Sequence, residues 1–105
     1  MGYVYLIKDS EKECYKIGVT KNMKHRISRL QNGNSSKLEV LEIINFEYPY
    51  RLENMLHLHY KNKQIMNEWY NLNYEDVINF KATCEMLKER IKILLENPFF
   101  KKNIK

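Results

Sequence analysis

Cysteine is scarce in this chain of 105 residues, with only Cys14 and Cys84 and no CxxC spacing. That excludes a disulfide framework or a clustered zinc site and leaves two thiols expected to be buried or partly buried. Glycine and proline are scarce too, at three and two residues, and with 44% hydrophobic and 12% aromatic content the chain is neither disordered nor of low complexity. No apolar run approaches the roughly 20 residues a bilayer span needs, and the N-terminus lacks the basic, apolar, small-residue order of a signal peptide. The expectation is a soluble intracellular protein, in cytoplasm or nucleoid, with no membrane partner. No internal repeat or linker divides the sequence, and its length allows one domain. That domain is expected over residues 1–97, with a basic tail at 98–105. Acidic residues are in deficit, 13 against 18 Lys and Arg, for a net charge of +5. Such an excess favours an anionic partner, because neutralising phosphates releases counterions.

What is present is concentrated at the start, in "GYVYLIKDSEKECYKIGVTKNMKHR". Two β-rich runs flank a polar stretch, which predicts an antiparallel hairpin. A loop from Asp9 to Lys12 pairs Lys8 with Glu13, Tyr5 with Lys16 and Tyr3 with Gly18. Whatever the loop, alternation puts Val4, Leu6, Tyr15, Ile17 and Val19 on a core face. Tyr3, Tyr5, Lys16 and Gly18 fall on a polar, aromatic face, open beside the glycine. Thr20 or Asn22 can cap a helix to about Asn32, stopped by Gly33, with Met23, Ile27 and Leu30 inward and Arg26 about 40° from Leu30. "KLEVLEIINF" reads as a third strand. "YPYRLENMLHLHYKNK" reads as a second helix entered at Pro49, with Leu52, Met55, Leu56 and His59 inside and Glu53, His57 and Tyr60 along one flank. "EWYNL" is a short strand or extended segment. Asn73 and Asp76 then cap a long amphipathic helix on Val77, Phe80, Cys84, Leu87, Ile91 and Leu94, ending before Pro98. The fold class is α+β: a small antiparallel three-stranded sheet flanked by helices, with a long C-terminal amphipathic helix.

In this order and on these elements the residues resemble the GIY-YIG nuclease superfamily. "YVYLI" supplies the tyrosine of a first motif, Tyr5, and "KIG" ends a second motif at Ile17 and Gly18. Arg26 matches the arginine of the following helix and Glu53 the metal-binding glutamate of a later one. "LENMLHLHYKNKQIMNEWYNL" is similar to the phage- and virus-associated branch, which carries a Glu-x-x-x-His helix and then a Glu-Trp-aromatic segment. Glu53, His57, Glu68, Trp69 and Tyr70 are the matching positions, and the resemblance runs from about Gly2 to Leu72. The sequence departs from the family at Tyr3, where a glycine is usual, and at Lys16, where a tyrosine is usual. It also lacks a clear counterpart of the late asparagine.

The resemblance implies a metal-dependent endonuclease acting on DNA. Tyr5 would accept the proton of the attacking water, helped by Lys16, Arg26 or a metal's field, since a free phenol has a pKa of about 10. Lys16 would also suit a phosphate oxygen, and Arg26 would neutralise the scissile phosphate. Glu53 would hold one Mg²⁺ or Mn²⁺ with waters completing the shell, and no organic cofactor is implied. His57 would orient Glu53, touch a phosphate or act as a second base. Tyr15 and Glu68 are further candidates, and Tyr3, Ile17, Gly18, Glu68 and Trp69 shape the motifs. Taken singly, each has a structural reading: Tyr5 as a strand aromatic, Lys16 as a solvated lysine, Arg26 paired with Glu53, Trp69 in the core. Two other functions fit the composition: a catalytically inactive nucleic-acid-binding module, and a dimeric protein-interaction domain joined through Leu87 and Ile91. DNA is the expected partner, with a homodimer or a separate targeting protein beside it.

Overall fold

The first two runs form the expected hairpin: β1 (Gly2–Asp9) pairs antiparallel with β2 (Cys14–Thr20), in a computed structural model that describes residues 2–97. The basic tail at 98–105 lies outside the described residues. The register differs from the expected one: Tyr5 faces Gly18, Tyr3 faces Thr20 and Lys16 faces Ile7. Asp9 is the cause. It stays in the ladder opposite Cys14, and its carboxylate accepts hydrogen bonds from the N–H groups of Glu11 and Lys12, both at 3.1 Å, so the turn moves to Ser10 through Glu13. Because the shift is even, every side chain keeps its face.

β1 is an interior strand of the sheet. Its other edge pairs with β3 (Leu38–Phe46), with a bulge that skips Leu41 between the partners of Leu6 and Ile7. Beyond β2 lies a second hairpin, β4 (Gln64–Met66) and β5 (Trp69–Tyr70), joined through Asn67 and Glu68. The sheet therefore has five antiparallel strands in the order β3-β1-β2-β5-β4, against an expected three. β4 is too short to show a period in sequence. Its turn rests on Asn67 at φ 53°, a conformation asparagine tolerates better than most residues.

α1 (Met23–Asn32) begins and ends as its residues predict: Asn22 Oδ1 accepts from the His25 N–H at 3.0 Å, and Gly33 closes the helix. α2 (Pro49–His59) lays Leu52 and Leu56 into the core. His59, expected inside, is exposed; Tyr60 takes the inward place and stacks on Phe80 at 6.3 Å. After a 3-10 turn at Lys61–Lys63, the C-terminal helix comes in two pieces, α3 (Tyr74–Ile78) and α4 (Phe80–Glu96), divided at Asn79. The Asn73–Asp76 capping box is formed, and Lys63 pairs with Asp76. Phe80, Cys84, Leu87 and Ile91 pack into the core, and the half-buried Leu95 continues their stripe in place of the exposed Leu94. Leu87 and Ile91 are thus taken up inside the chain. Both thiols are buried, and burial pushes the Cys84 thiol up to about 12. Among the described residues no helix is long and apolar enough to cross a membrane.

The core cluster unites Val4, Leu6 and Ile17 with α2 and α4. Tyr5 and Ile7, equally buried, belong to the opposite face and not to that cluster. The face beside Gly18 is therefore closed where the sequence suggested it was open, because the Tyr5 ring itself fills the space. Gly18 has no positive φ, so its role is one of room. A Cβ there would fall against the Tyr5 hydroxyl and ring, meeting Cε1 at 2.9 Å. Gly18→Ala should therefore destabilise the protein by about 1–3 kcal/mol in urea unfolding, the usual cost of overpacking. In a Tyr5→Leu background the same change should cost at least about 1 kcal/mol less. Simple additivity would show that the two residues are not in conflict over this space.

Candidate functional site

β5 spans only Trp69 and Tyr70, so β2 loses its neighbour midway. The last rung runs from the Ile17 N–H to the Glu68 carbonyl at 3.0 Å. The Ile17 carbonyl lies 3.1 Å from Nε2 of His57. A carbonyl only accepts, so Nε2 carries the proton that it donates here, which in the neutral imidazole puts the lone pair on Nδ1. The His57 ring also stacks on Tyr70, with centroids 5.6 Å apart.

Glu53 precedes His57 by four residues on α2 and lies on the same side of the helix. Its side chain is buried, the residue being 8% exposed, and its Oε2 has no hydrogen-bond partner among the described residues. One ligand atom each from Glu53, His57 and Glu68 lie within 4.8 Å of one another. Lys16 closes the group, with Nζ at 3.0 Å from Oε2 of Glu68 and 5.3 Å from the centroid of the Trp69 ring. An orphaned buried carboxylate oxygen beside a second carboxylate and an imidazole fits a divalent cation.

Next to this cluster, the Arg26 Nε–H donates to the Tyr5 hydroxyl at 3.1 Å. The charges of Glu53 and Glu68 act on both Tyr5 and Arg26, which places the four side chains in one electrostatic neighbourhood. Burial, and then the facing Glu68 carboxyl, push Glu53 up to about 7 against the opposing pull of Lys16 and Arg26. Burial works on Glu68 in the same direction. There it is outweighed by the Lys16 ammonium and by a hydrogen bond from Glu53, which hold Glu68 below the usual carboxylate range. The two carboxyl groups therefore share a proton near neutrality, held on Glu53. Burial also raises Tyr5 above the usual phenol value, and Arg26 only partly offsets it.

Several expected positions meet here: Tyr5, Gly18, Arg26, Glu53 and His57, with Lys16 and Ile17 beside them. Lys16 stands opposite Ile7 instead of Tyr5, and its ammonium pairs with Glu68. Trp69 is half-buried under that ammonium instead of lying in the core cluster. Tyr15 packs half-buried against the core, on the face opposite Lys16, as strand alternation requires. Tyr3, half-buried, shares the Tyr5 face and pairs with Thr20. Glu68, a further candidate in the sequence, proves central. Its approach to Glu53 depends on the pairing of β5 with β2, which no local pattern announces.

A small α+β domain with a Tyr–Arg pair beside an acidic and imidazole cluster is thus defined. Residues 2–85 match the T5orf172 domain, and the chain belongs to that family. The domain is phage-associated and is found in endonuclease contexts. The match spans every residue of the cluster. No curated protein and no solved structure matches the chain.

The Glu53 environment has a measurable signature. Its folded value, about 7, lies above the unfolded 4.5, so the proton's stabilisation is complete below about pH 4.5 and is lost as pH rises through about 7. In chelator, Glu53→Gln should exceed wild type in urea stability at pH 8 by about 1–2 kcal/mol, after discounting for solvent screening, and should match it near pH 5. A variant no more stable than wild type at pH 8 would contradict the burial of a proton-binding Glu53.

Proposed function

We propose that this chain is a metal-dependent DNA endonuclease of the GIY-YIG type, hydrolysing phosphodiester bonds. One observation carries the reading: four motif positions from four separate elements meet. Tyr5 of β1 lies across Gly18 of β2, receives the hydrogen bond of Arg26 from α1, and feels the charge of Glu53 on α2. Order along the sequence alone would not bring them together.

Arg26 is the phosphate-binding group in this reading. Tyr5 holds its Nε and so aims the planar guanidinium, whose remaining donors suit phosphate oxygens. Tyr5, once ionised to the phenolate, would take the proton of the attacking water and return to the phenol. Its raised value makes it a poor base at neutral pH as it stands. A divalent ion held by Glu53, Mg²⁺ or Mn²⁺, would supply positive charge at the leaving oxygen and beside the phenol. His57, fixed by the Ile17 carbonyl and the Tyr70 ring, orients the carboxylate edge of the site. DNA approach is supported by α1, which carries no acidic residue and exposes Lys24, His25 and Arg29 on the helix that bears Arg26.

Supercoiled plasmid and a branched DNA, each incubated with Mg²⁺, Mn²⁺ or chelator, test the reading. Cleavage should require metal and fall at least about 100-fold in Glu53→Ala, Arg26→Ala and Tyr5→Phe, with circular dichroism unchanged. Salt-sensitive DNA binding without cleavage, retained by all three variants, would sink the nuclease reading in favour of a binding module. Separately, the double variant Lys24→Ala/Arg29→Ala should lower the slope of log affinity against log salt by about 2. An unchanged slope would remove α1 from the DNA surface.

A further inference from the structure

We infer that Glu53, His57 and Glu68 together form a three-ligand site for a divalent cation of the manganese type, and that Lys16 is the resident counter-ion which this cation displaces from Glu68. The inference deepens the endonuclease reading, on which its catalytic meaning rests, but cation binding is tested without DNA.

The first support is the Oε2 atom of Glu53, an acceptor more than nine-tenths buried and without a hydrogen-bond partner among the described residues. As an ionised acceptor this oxygen lacks the compensation that folded proteins nearly always provide. The second is His57. Donation from Nε2 to the Ile17 carbonyl fixes the tautomer and ring orientation, the arrangement usual for a metal-ligating histidine, and puts the lone pair on Nδ1. The third is spacing. With bonds of about 2.1 Å, ligands on opposite sides of an ion lie about 4.2 Å apart. One donor atom from each of the three residues already lies within 4.8 Å of the others, so side-chain adjustment alone, without backbone movement, can close them on one ion.

The donor set indicates the kind of ion. Two carboxylates and one imidazole suit Mn²⁺, whereas Mg²⁺ favours oxygen donors and retained water, and no thiolate is in the group to select a softer metal. Glu68 is held in place by backbone, through the rung from Ile17 and the turn at Asn67. Lys16 is the member with an alternative to the carboxylate. Its ammonium occupies Glu68 Oε2 and also lies over the face of Trp69, which offers the cation a second resting place once the carboxylate is taken. Ion and ammonium thus compete for one oxygen.

The full chain, stripped with chelator, is titrated with Mn²⁺ alone by calorimetry and observed by electron paramagnetic resonance. One Mn²⁺ should bind, at least about tenfold more tightly than Mg²⁺, with a nitrogen coupling from the imidazole. Glu68→Gln and His57→Gln should each weaken Mn²⁺ about tenfold or more, and the nitrogen coupling should vanish in His57→Gln. Lys16→Met should strengthen Mn²⁺ binding, a gain that misfolding cannot produce. If Glu68 served only as the partner of Lys16, Glu68→Gln and Lys16→Met would lower Tm together and leave Mn²⁺ affinity alike, which would overturn the inference. Mn²⁺ binding in the expected pattern without DNA cleavage would leave the site standing and remove the endonuclease reading. Cleavage with Mn²⁺ affinity indifferent to Glu68→Gln would do the reverse.

Discussion

The Tyr5 ring lying across Gly18 is the constraint from which the remainder of the site follows. β1 is central and buried on both faces, so a large aromatic ring on its second face needs somewhere to go. The missing side chain at Gly18, directly opposite in the ladder, supplies the room. The phenol oxygen is then delivered to Arg26. That matters for α1, which has no fully buried residue and so is held by contacts weaker than those of a core helix. Its fastenings include two polar ones: the Arg26–Tyr5 hydrogen bond, and the strap in which Gln31 accepts from the Leu38 N–H and donates to the Ser36 carbonyl. A hydrogen bond from a charged donor contributes about 1.5–3 kcal/mol. The position of the guanidinium is therefore set by the sheet more than by its own helix.

A second constraint lies at the edge of β2. Because β5 ends early, the backbone of Ile17 is left to bond with the Glu68 carbonyl on one side and His57 on the other. This brings a turn residue and a helix residue to one point and sets two carboxyl groups face to face. Such a pairing is unfavourable for a domain of this size, because burial and like charge both oppose ionisation of Glu53. Lys16 pairs directly with Glu68 and relieves Glu53 only in part. A titratable group perturbed in this way beside a Tyr–Arg pair marks a candidate functional site.

Local patterns carried a large part of this. Alternation assigned both faces of β1 and β2 correctly, even with the register displaced, since an even shift changes no side-chain face. The displacement itself came from Asp9, whose carboxylate closes the turn on Glu11 and Lys12 and so remains in the strand. Helix caps at Asn22 and Asn73 were legible because a cap is a local hydrogen bond. Glu53 and His57 were legible as an i,i+4 pair. β4 was not, since three residues carry no period and the strand exists only through pairing with β5. For the same reason the partner of Lys16 was hidden: Glu68 reaches it through a contact between strands far apart in sequence. Alternation had already placed Tyr15 on the core face, where the structure puts it.

The departure at Lys16 acquires a physical meaning from its surroundings. A tyrosine there would lie on the same face, but it could not neutralise Glu68, and the buried pair of carboxyl groups would stand unopposed. With the proton held on Glu53, Lys16 and Arg26 outweigh the Glu68 carboxylate by a single charge, so the site on its own offers a phosphate only a modest attraction. A divalent cation added to the set would expel that proton and raise the local positive charge by one further unit. Ion entry and phosphate attraction are coupled on this account, because both act on the same small group of charges. On the proposed reading the lysine would serve that coupling in either direction, as counter-ion to Glu68 without the ion and as an additional cation beside the phosphate with it.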